Sequence, residues 1–226
     1  MSQKPQILYL HGLGSGPRSQ KGVLVHDYFS ALGCSVALPS ISVPSLEALS
    51  PRKAVEAVQE EVSSRALNPL ILVGSSFGGF IALHALNELA EHKRAHVAKL
   101  VLLAPALDPW DPGSQLLSPE RERLWRDHGS APILDIERGI EVPVHYGFVE
   151  ELRGFDSWRV ELPVPTLIIH GRDDEVVSVG QSQRFAVGRP WVTLEVVHDT
   201  HQLLKNPQKL LESVNRFVFF DSTSSR

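Results

Sequence analysis

The sequence is poor in sulfur, has no long apolar run and carries no excess of basic charge. Cys34 is the single cysteine among 226 residues, so no disulfide forms within the chain, and we expect a reducing, cytoplasmic location. No apolar segment approaches the ~20 residues of a membrane span, and the polar residues 1–6 contain no signal core. The net charge of −4 disfavours sequence-independent binding of nucleic acid.

Apolar residues still make up 42% of the chain, enough for the core of one domain. Six short apolar runs lack polar alternation, which is typical of strands buried on both faces of a parallel sheet. Helical patterns lie between them, so we predict a doubly wound, mostly parallel α/β sheet of about six strands in a single domain, residues 1–226. The predicted strands are 6–10, 35–38, 70–73, 100–103, 166–169 and 192–197, and the predicted helices are 21–32, 46–66, 79–90, 179–186 and 207–219.

One segment, residues 107–160, interrupts this alternation. It contains five prolines and six aromatic residues and shows no clear buried strand. Long connections of this kind are often functional, so we expect a short lid-like insertion over the C-terminal edge of the sheet. The alternative is a surface excursion whose aromatic residues pack on the body of the domain.

A strand, a sharp turn and a helix are predicted around Ser76. The chain reads G-S-S-F-G from Gly74 to Gly78, which is the G-x-S-x-G pattern of a nucleophile elbow. Side chains at the two glycines would collide across so tight a turn, and the following helix directs its positive end at the serine. We predict that Ser76 is the nucleophile and that the N–H of Phe77 binds an oxyanion. Ser75 should only pack in the turn.

The loop after the first strand is rich in glycine and reads H-G-L-G-S-G from His11 to Gly16. A serine hydrolase with such an elbow needs a second N–H donor from an early loop, and Leu13 is the predicted donor. Nucleotide binding is disfavoured, because G-x-G-x-x-G would need glycine where Pro17 stands and no phosphate-loop motif occurs. His11 is expected to be a structural hydrogen-bonding residue.

Acidic residues and histidines follow the later predicted strands, where they can reach the edge that carries Ser76. His201 lies in the loop beyond the last strand and is the predicted general base, whereas His198 lies closer to that strand. Several carboxylates compete as the partner of the base: Asp108, Asp173, Asp174 and Glu175. His198, Asp199 and His201 lack further ligands at the usual metal spacing, so no metal is expected.

These motifs together resemble the α/β-hydrolase superfamily over nearly the whole chain, most weakly in residues 107–160. The stretch from Leu8 to Lys21, together with the elbow, resembles the small bacterial YqiA-like serine esterases. Members of that group often read L-H-G-F-x-S-S-P-x-S and G-S-S-L-G-G-Y. This sequence departs from them with Leu13 for the aromatic residue, Ser15-Gly16 for Ser-Ser and Phe77 for leucine.

The resemblance also decides between the candidate acids. The superfamily pattern G-x-x-D-x-V-V falls on residues 171–177 and selects Asp174 over Asp173, and the final histidine of the superfamily falls on His201. It implies a compact α/β-hydrolase fold, a catalytic triad of Ser76, Asp174 and His201, and carboxylester hydrolase activity without a metal or organic cofactor.

We therefore expect hydrolysis of small-molecule carboxylic esters through an acyl-serine intermediate. The short chain and modest insertion favour small or single-chain acyl groups. A thioesterase, amidase or small peptidase would use the same three residues and stays an alternative. A non-catalytic, hydrolase-like ligand-binding protein is a further alternative, which the complete set of three residues disfavours.

Overall fold

The computed structural model describes residues 4–65, 68–112, 114 and 117–220. Within these residues the chain forms eight strands, eight α-helices and one 3₁₀ turn, Ser157–Arg159. The strands are β1 (Gln6–Leu10), β2 (Ser35–Ala37), β3 (Leu70–Ser75), β4 (Val97–Leu103), β5 (Ser130–Asp135), β6 (Ile140–His145), β7 (Thr166–Gly171) and β8 (Val192–Val197). The helices are α1 (Gln20–Ala31), α2 (Pro51–Ser64), α3 (Phe77–Glu88), α4 (Glu91–Arg94), α5 (Pro119–His128), α6 (Gly147–Leu152), α7 (Val179–Ala186) and α8 (Pro207–Phe219).

Six of the strands form one parallel sheet in the order β2-β1-β3-β4-β7-β8. Each coincides with a predicted strand, so the predicted doubly wound α/β fold is confirmed. Alternate side chains enter two apolar layers: Ile7 and Tyr9 of β1 pack with α1 and α8, whereas Leu8 and Leu10 pack with α2 and α3. Burial of both faces explains why the inner strands β3 and β7 show no polar alternation, whereas the outer strands β2 and β8 are only partly buried.

The starts of two helices differ from the predicted starts by more than one residue. α2 begins at Pro51 instead of residue 46, because Ser50 Oγ accepts a hydrogen bond from the N–H of Lys53 and proline suits the first position. The predicted end of that helix, residue 66, lies outside the described residues. α3 begins two residues earlier than predicted, directly after Ser76 and inside the elbow.

The insertion forms helices and a β-hairpin, and the hairpin borders the loops at the carboxyl ends of β1 and β3. β5 and β6 pair antiparallel and bury Ile133, Val142 and Val144. The expectation of no clear buried strand in this segment is therefore wrong. Pro132 and Pro143 made this segment unlike a strand in the sequence. In the hairpin the two prolines are directly opposite each other. Both strands are edges, where a residue without an N–H is tolerated.

Aromatic residues pack the insertion against α3. Trp125 of α5 is 1% exposed, and its indole N–H donates to the carbonyl of Val144 at 2.7 Å. Its ring stacks on Phe148, which in turn meets the ring of Phe77 edge-on, with centroids 5.5 Å apart. The insertion therefore packs directly on the helix that follows Ser76.

Candidate active site

Ser76 occupies the sharp turn between β3 and α3. Its backbone has φ 53° and ψ −118°, a region that costs a residue with a side chain on the order of 1–3 kcal/mol. A Cβ at Gly74 would collide with the backbone of Gly78, and one at Gly78 would collide with the carbonyl of Leu10. The two glycines thus allow the turn that brings the Ser76 side chain out at the end of β3.

Two hydrogen bonds connect Ser76, His201 and Asp174. The serine Oγ lies 3.0 Å from His201 Nε2, and His201 Nδ1 lies 2.8 Å from Asp174 Oδ2. The carboxylate can only accept, so Nδ1 carries the proton and Nε2 is free to accept from the serine hydroxyl. His201 follows β8 and Asp174 follows β7, so three separate loops meet at one edge of the sheet.

Asp174 is surrounded by hydrogen-bond donors. Its Oδ1 accepts from the backbone N–H groups of Val176 and Val177, at 2.9 and 2.8 Å. Its Oδ2 lies 3.0 Å from His170 Nε2, in addition to its bond with His201. Burial acts to raise the pKa of this carboxyl, but the hydrogen bonds from His170, His201 and Val177 outweigh it and hold the pKa well below its usual range. The side chain is therefore a stable anion.

His170 is a neighbour of the site that the sequence analysis missed. It is fully buried, and its Nδ1 lies 2.7 Å from Ser182 Oγ, which donates. Its Nε2–H lies between Asp174 Oδ2 and the carbonyl of Val177, both at 3.0 Å. A histidine at the end of a predicted strand and four residues before an acid was the available signal.

The competing carboxylates lie elsewhere. Asp173 is exposed and pairs with Lys205 at 3.6 Å. Asp108 accepts from the indole N–H of Trp158 at 3.3 Å, inside the insertion. Glu175 stays near the site, but only through a 3.4 Å contact with the backbone N–H of His201.

The other histidines do not join this chain of hydrogen bonds. His198 is exposed. His11 is buried, donates from Nδ1 to the carbonyl of Gly12 and accepts at Nε2 from the N–H of Ile41, which agrees with a structural role. Among the described residues, no three His, Cys, Asp or Glu side chains converge where a metal ion could be held.

The two predicted oxyanion donors face the same cavity as Ser76. Leu13 lies in a turn closed by the N–H of Ser15 and the carbonyl of Gly12, 3.1 Å apart, and Phe77 is the first residue of α3. Neither backbone N–H donates to an acceptor within the described part of the chain. Both are thus available to a bound group next to the serine.

Lys21 is a second residue that the sequence did not single out as functional. It is only 7% exposed, lines the cavity, and donates from Nζ to the backbone carbonyl of His201 at 3.3 Å. Burial lowers its pKa to about 8, although the carboxylates of Asp174 and Asp199 act in the opposite direction. Lysine at the start of an amphipathic helix is usually exposed, so the sequence offered little signal.

The cavity at Ser76 has a volume of about 310 Å³. Apolar residues of the hairpin line it, namely Ile133, Leu134 and Ile136, and Val176 and Val177 also contribute to its lining. Burial raises the pKa of Tyr9, which also lines the cavity, to about 12. The cavity suits a small, mostly apolar ligand with one group beside the serine.

A parallel sheet with a serine elbow after β3, an acid after β7 and a histidine after β8 defines the α/β-hydrolase class of folds. Residues 6–219 match UPF0227, described as an uncharacterised protein family, and the chain belongs to that family. This match confirms the resemblance to YqiA-like proteins. No helix within the described residues is long and apolar enough to cross a membrane.

A curated protein and several solved structures are similar to this chain. Palmitoyl-protein thioesterase ABHD10, mitochondrial, of Homo sapiens is 26% identical over 193 residues, which cover 81% of this chain and 61% of that protein. The chain thus spans about three fifths of that relative's length. The structure of mouse alpha/beta hydrolase domain-containing protein 10 has a TM-score of 0.73 at 20% identity, covering 96% of this chain and 91% of that one. Est1E of Butyrivibrio proteoclasticus with bound ferulic acid has a TM-score of 0.76 at 19% identity, covering 95% and 88%. These structural likenesses show the fold.

Proposed function

We propose that this protein is a serine esterase that cleaves carboxylic esters through an acyl-serine intermediate. The observation that carries the proposal is the continuous line of hydrogen bonds from Ser76 Oγ through His201 to Asp174. His201 accepts the serine proton as Ser76 attacks the acyl carbonyl, and Asp174 holds the imidazole in the required tautomer. His201 then returns the proton to the leaving alcohol, and water cleaves the acyl-enzyme by the same steps.

The N–H groups of Leu13 and Phe77 would bind the oxyanion of each tetrahedral intermediate. Removing one such donor typically costs about 10²–10³ in kcat, so the pair supplies a large part of the rate. Every proton transfer and charge in this route is handled by groups of the chain itself. The cavity of about 310 Å³ supports small or single-chain acyl groups.

Hydrolysis of p-nitrophenyl esters of increasing acyl length tests this proposal. We expect turnover by the wild type and a loss of about 10⁴-fold or more in Ser76→Ala, because no other group can form the acyl-enzyme. Ser63→Ala, on the exposed face of α2, is the matched control and should keep wild-type rates. A folded wild type that cleaves none of these esters would contradict the proposal.

A thioesterase is the second candidate, because the human relative at 26% identity is named a palmitoyl-protein thioesterase. The same hydrogen-bonded groups can act on a thioester, since both substrates pass through the same acyl-serine. The ratio of kcat/KM for a thioester and an oxyester of one acyl chain separates the two. No specific observation favours the amidase, peptidase or non-catalytic alternatives.

We also propose that residues 1–226 form one domain, with residues 107–160 as a lid-like insertion in it. A reducing, cytoplasmic location is part of the same proposal. It is supported by Cys34, which is buried and unpaired.

A further inference from the structure

The hairpin of the insertion is hydrogen-bonded to the turn that carries the Leu13 N–H. The N–H of Ile136 donates to the carbonyl of Gly14 at 2.8 Å. At the next residue, Glu137 Oε1 accepts from the backbone N–H of Arg18, also at 2.8 Å. Arg18 and Glu137 are 119 positions apart, so these bonds join two distant parts of the chain.

Two glycines allow the hairpin to come this close. A Cβ at Gly14 would collide with the carbonyl of Leu134, and Gly14 has a φ of +68°, so a side chain there would also be strained. A Cβ at Gly16 would collide with the carboxyl group of Glu137, which therefore lies directly against this glycine. The φ of Gly16 lies outside the left-handed region, and the three atoms nearest to a methyl group there all belong to the Glu137 carboxyl group.

A turn with so many glycines has little stiffness of its own. An oxyanion donor nevertheless has to be fixed before the reaction, because its value comes from needing no reorganisation in the transition state. Leu13 is tied on one side to β1 through Gly12, and on the other side to Gly14, whose carbonyl the hairpin holds. The hairpin thus supplies the stiffness that the turn lacks.

We infer that Glu137 is a positioning residue for the oxyanion site: its hydrogen bond to the N–H of Arg18 and its contact with Gly16 hold the loop that carries Leu13. This inference rests on the proposed esterase function. The insertion is then lid-like in its position at the edge of the sheet, but it is a fixed support of the reacting site and does not open. We expect Glu137 to affect kcat and not KM, because the Leu13 N–H meets the full oxyanion charge only in the transition state.

Substitution of Glu137 tests the inference on p-nitrophenyl butyrate. Glu137→Ala removes the acceptor, and we expect kcat to fall about tenfold with KM within twofold, less than the ~10²–10³ for deleting a donor itself. Glu137→Gln keeps an acceptor oxygen at the same place and should restore most of kcat. Glu141→Ala, exposed on the same hairpin, is the matched control.

Gly16→Ala tests the same contact of Glu137 by changing the residue against which its carboxyl group lies. Its methyl group would push the Glu137 carboxylate away from Arg18, and we expect the same loss of kcat. In the double variant Glu137→Ala/Gly16→Ala the methyl group meets no carboxylate, so the two losses should not add. A boronic acid that mimics the tetrahedral intermediate should bind more weakly in each variant, in proportion to the fall in kcat/KM.

Three results would each overturn the inference: wild-type kcat in Glu137→Ala, additive losses in the double variant, or reduced kcat with unchanged affinity for the boronic acid. A variant that only loses thermal stability would not give this pattern. The recovery of kcat in Glu137→Gln and the affinity for the boronic acid both measure the geometry of the oxyanion site. A wild type without esterase activity would contradict the proposed function and this inference with it. An active wild type with an unaffected Glu137→Ala contradicts the inference alone.

Discussion

At the scale of single residues, the proposed chemistry depends on how firmly Asp174 is held. Its two oxygens accept from two backbone N–H groups and two imidazoles, which leaves the carboxylate one orientation. His170 contributes the one side-chain donor besides His201, and Ser182 fixes its tautomer by donating to Nδ1. A buried group that orients the Asp174 carboxylate also orients the proposed base, because the imidazole of His201 is hydrogen-bonded to that carboxylate.

We therefore expect His170→Asn and His170→Gln to differ. Glutamine can place an N–H near the position of the histidine Nε2 and keep the bond to Asp174, whereas asparagine is too short. His170→Asn should lower kcat about tenfold or more with little change in KM, in line with about 1.5–3 kcal/mol for a hydrogen bond to a charged group. Steady-state kinetics of both variants check this, and equal losses would show that His170 only fills space.

At the scale of elements, the hairpin decides what fits beside Ser76. Leu134 is 54% exposed and yet lines the cavity, so it stands at the edge where an acyl chain would leave the protein. Ile140, on the same hairpin and 46% exposed, does not line that cavity. The two residues are therefore a matched pair for testing acyl selectivity.

We predict that Leu134→Asn lowers kcat/KM for octanoyl esters about fivefold and leaves acetyl esters within twofold. Each buried methylene is worth about 0.8 kcal/mol, so losing contact with one or two of them gives an effect of this size. Ile140→Asn should behave as wild type on both esters. A wild-type rate that rises steadily up to triglyceride emulsions would contradict a cavity made for small or single-chain acyl groups.

At the scale of the whole molecule, the burial of Lys21 beside the site lowers the free energy of unfolding. Its pKa falls from 10.5 to about 8 in the folded protein, chiefly through burial. The unfolded chain therefore binds its proton more tightly, and below pH 8 this costs the fold about 3 kcal/mol. As the pH rises from 8 the unfolded state carries more protons than the folded state, so this cost shrinks.

We expect Lys21→Met to have a higher free energy of unfolding than the wild type at pH 7, by up to about 3 kcal/mol. The difference should narrow between pH 8 and 9.5, below the range where Tyr9 begins to titrate in the unfolded chain. Urea titrations at several pH values measure it, with exposed Lys53→Met as the control. A difference that stays constant with pH, or a variant that is less stable at pH 7, would contradict this account.

Much of the fold and of the site could be predicted because the signals are local. Each parallel strand is a short apolar run, and the elbow is five consecutive residues whose glycines have a steric reason. The hairpin could not be predicted, because proline disfavours a strand. Pro132 and Pro143 are tolerated here since both strands are edges of the hairpin. The choice between Asp173 and Asp174 came from a family resemblance, and adjacent acids look alike in a sequence.

The sequence by itself determined the order along the chain of the six parallel strands, the turn at Ser76 and the residue types available at the edge of the sheet. Only the tertiary structure decided which of those residues meet. Lys21 and His201 are 180 positions apart, Ser76 and His201 are 125 apart, and Arg18 and Glu137 are 119 apart. Hydrophobic periodicity and turn chemistry act over a few residues, whereas these contacts depend on how the whole sheet and its insertion pack.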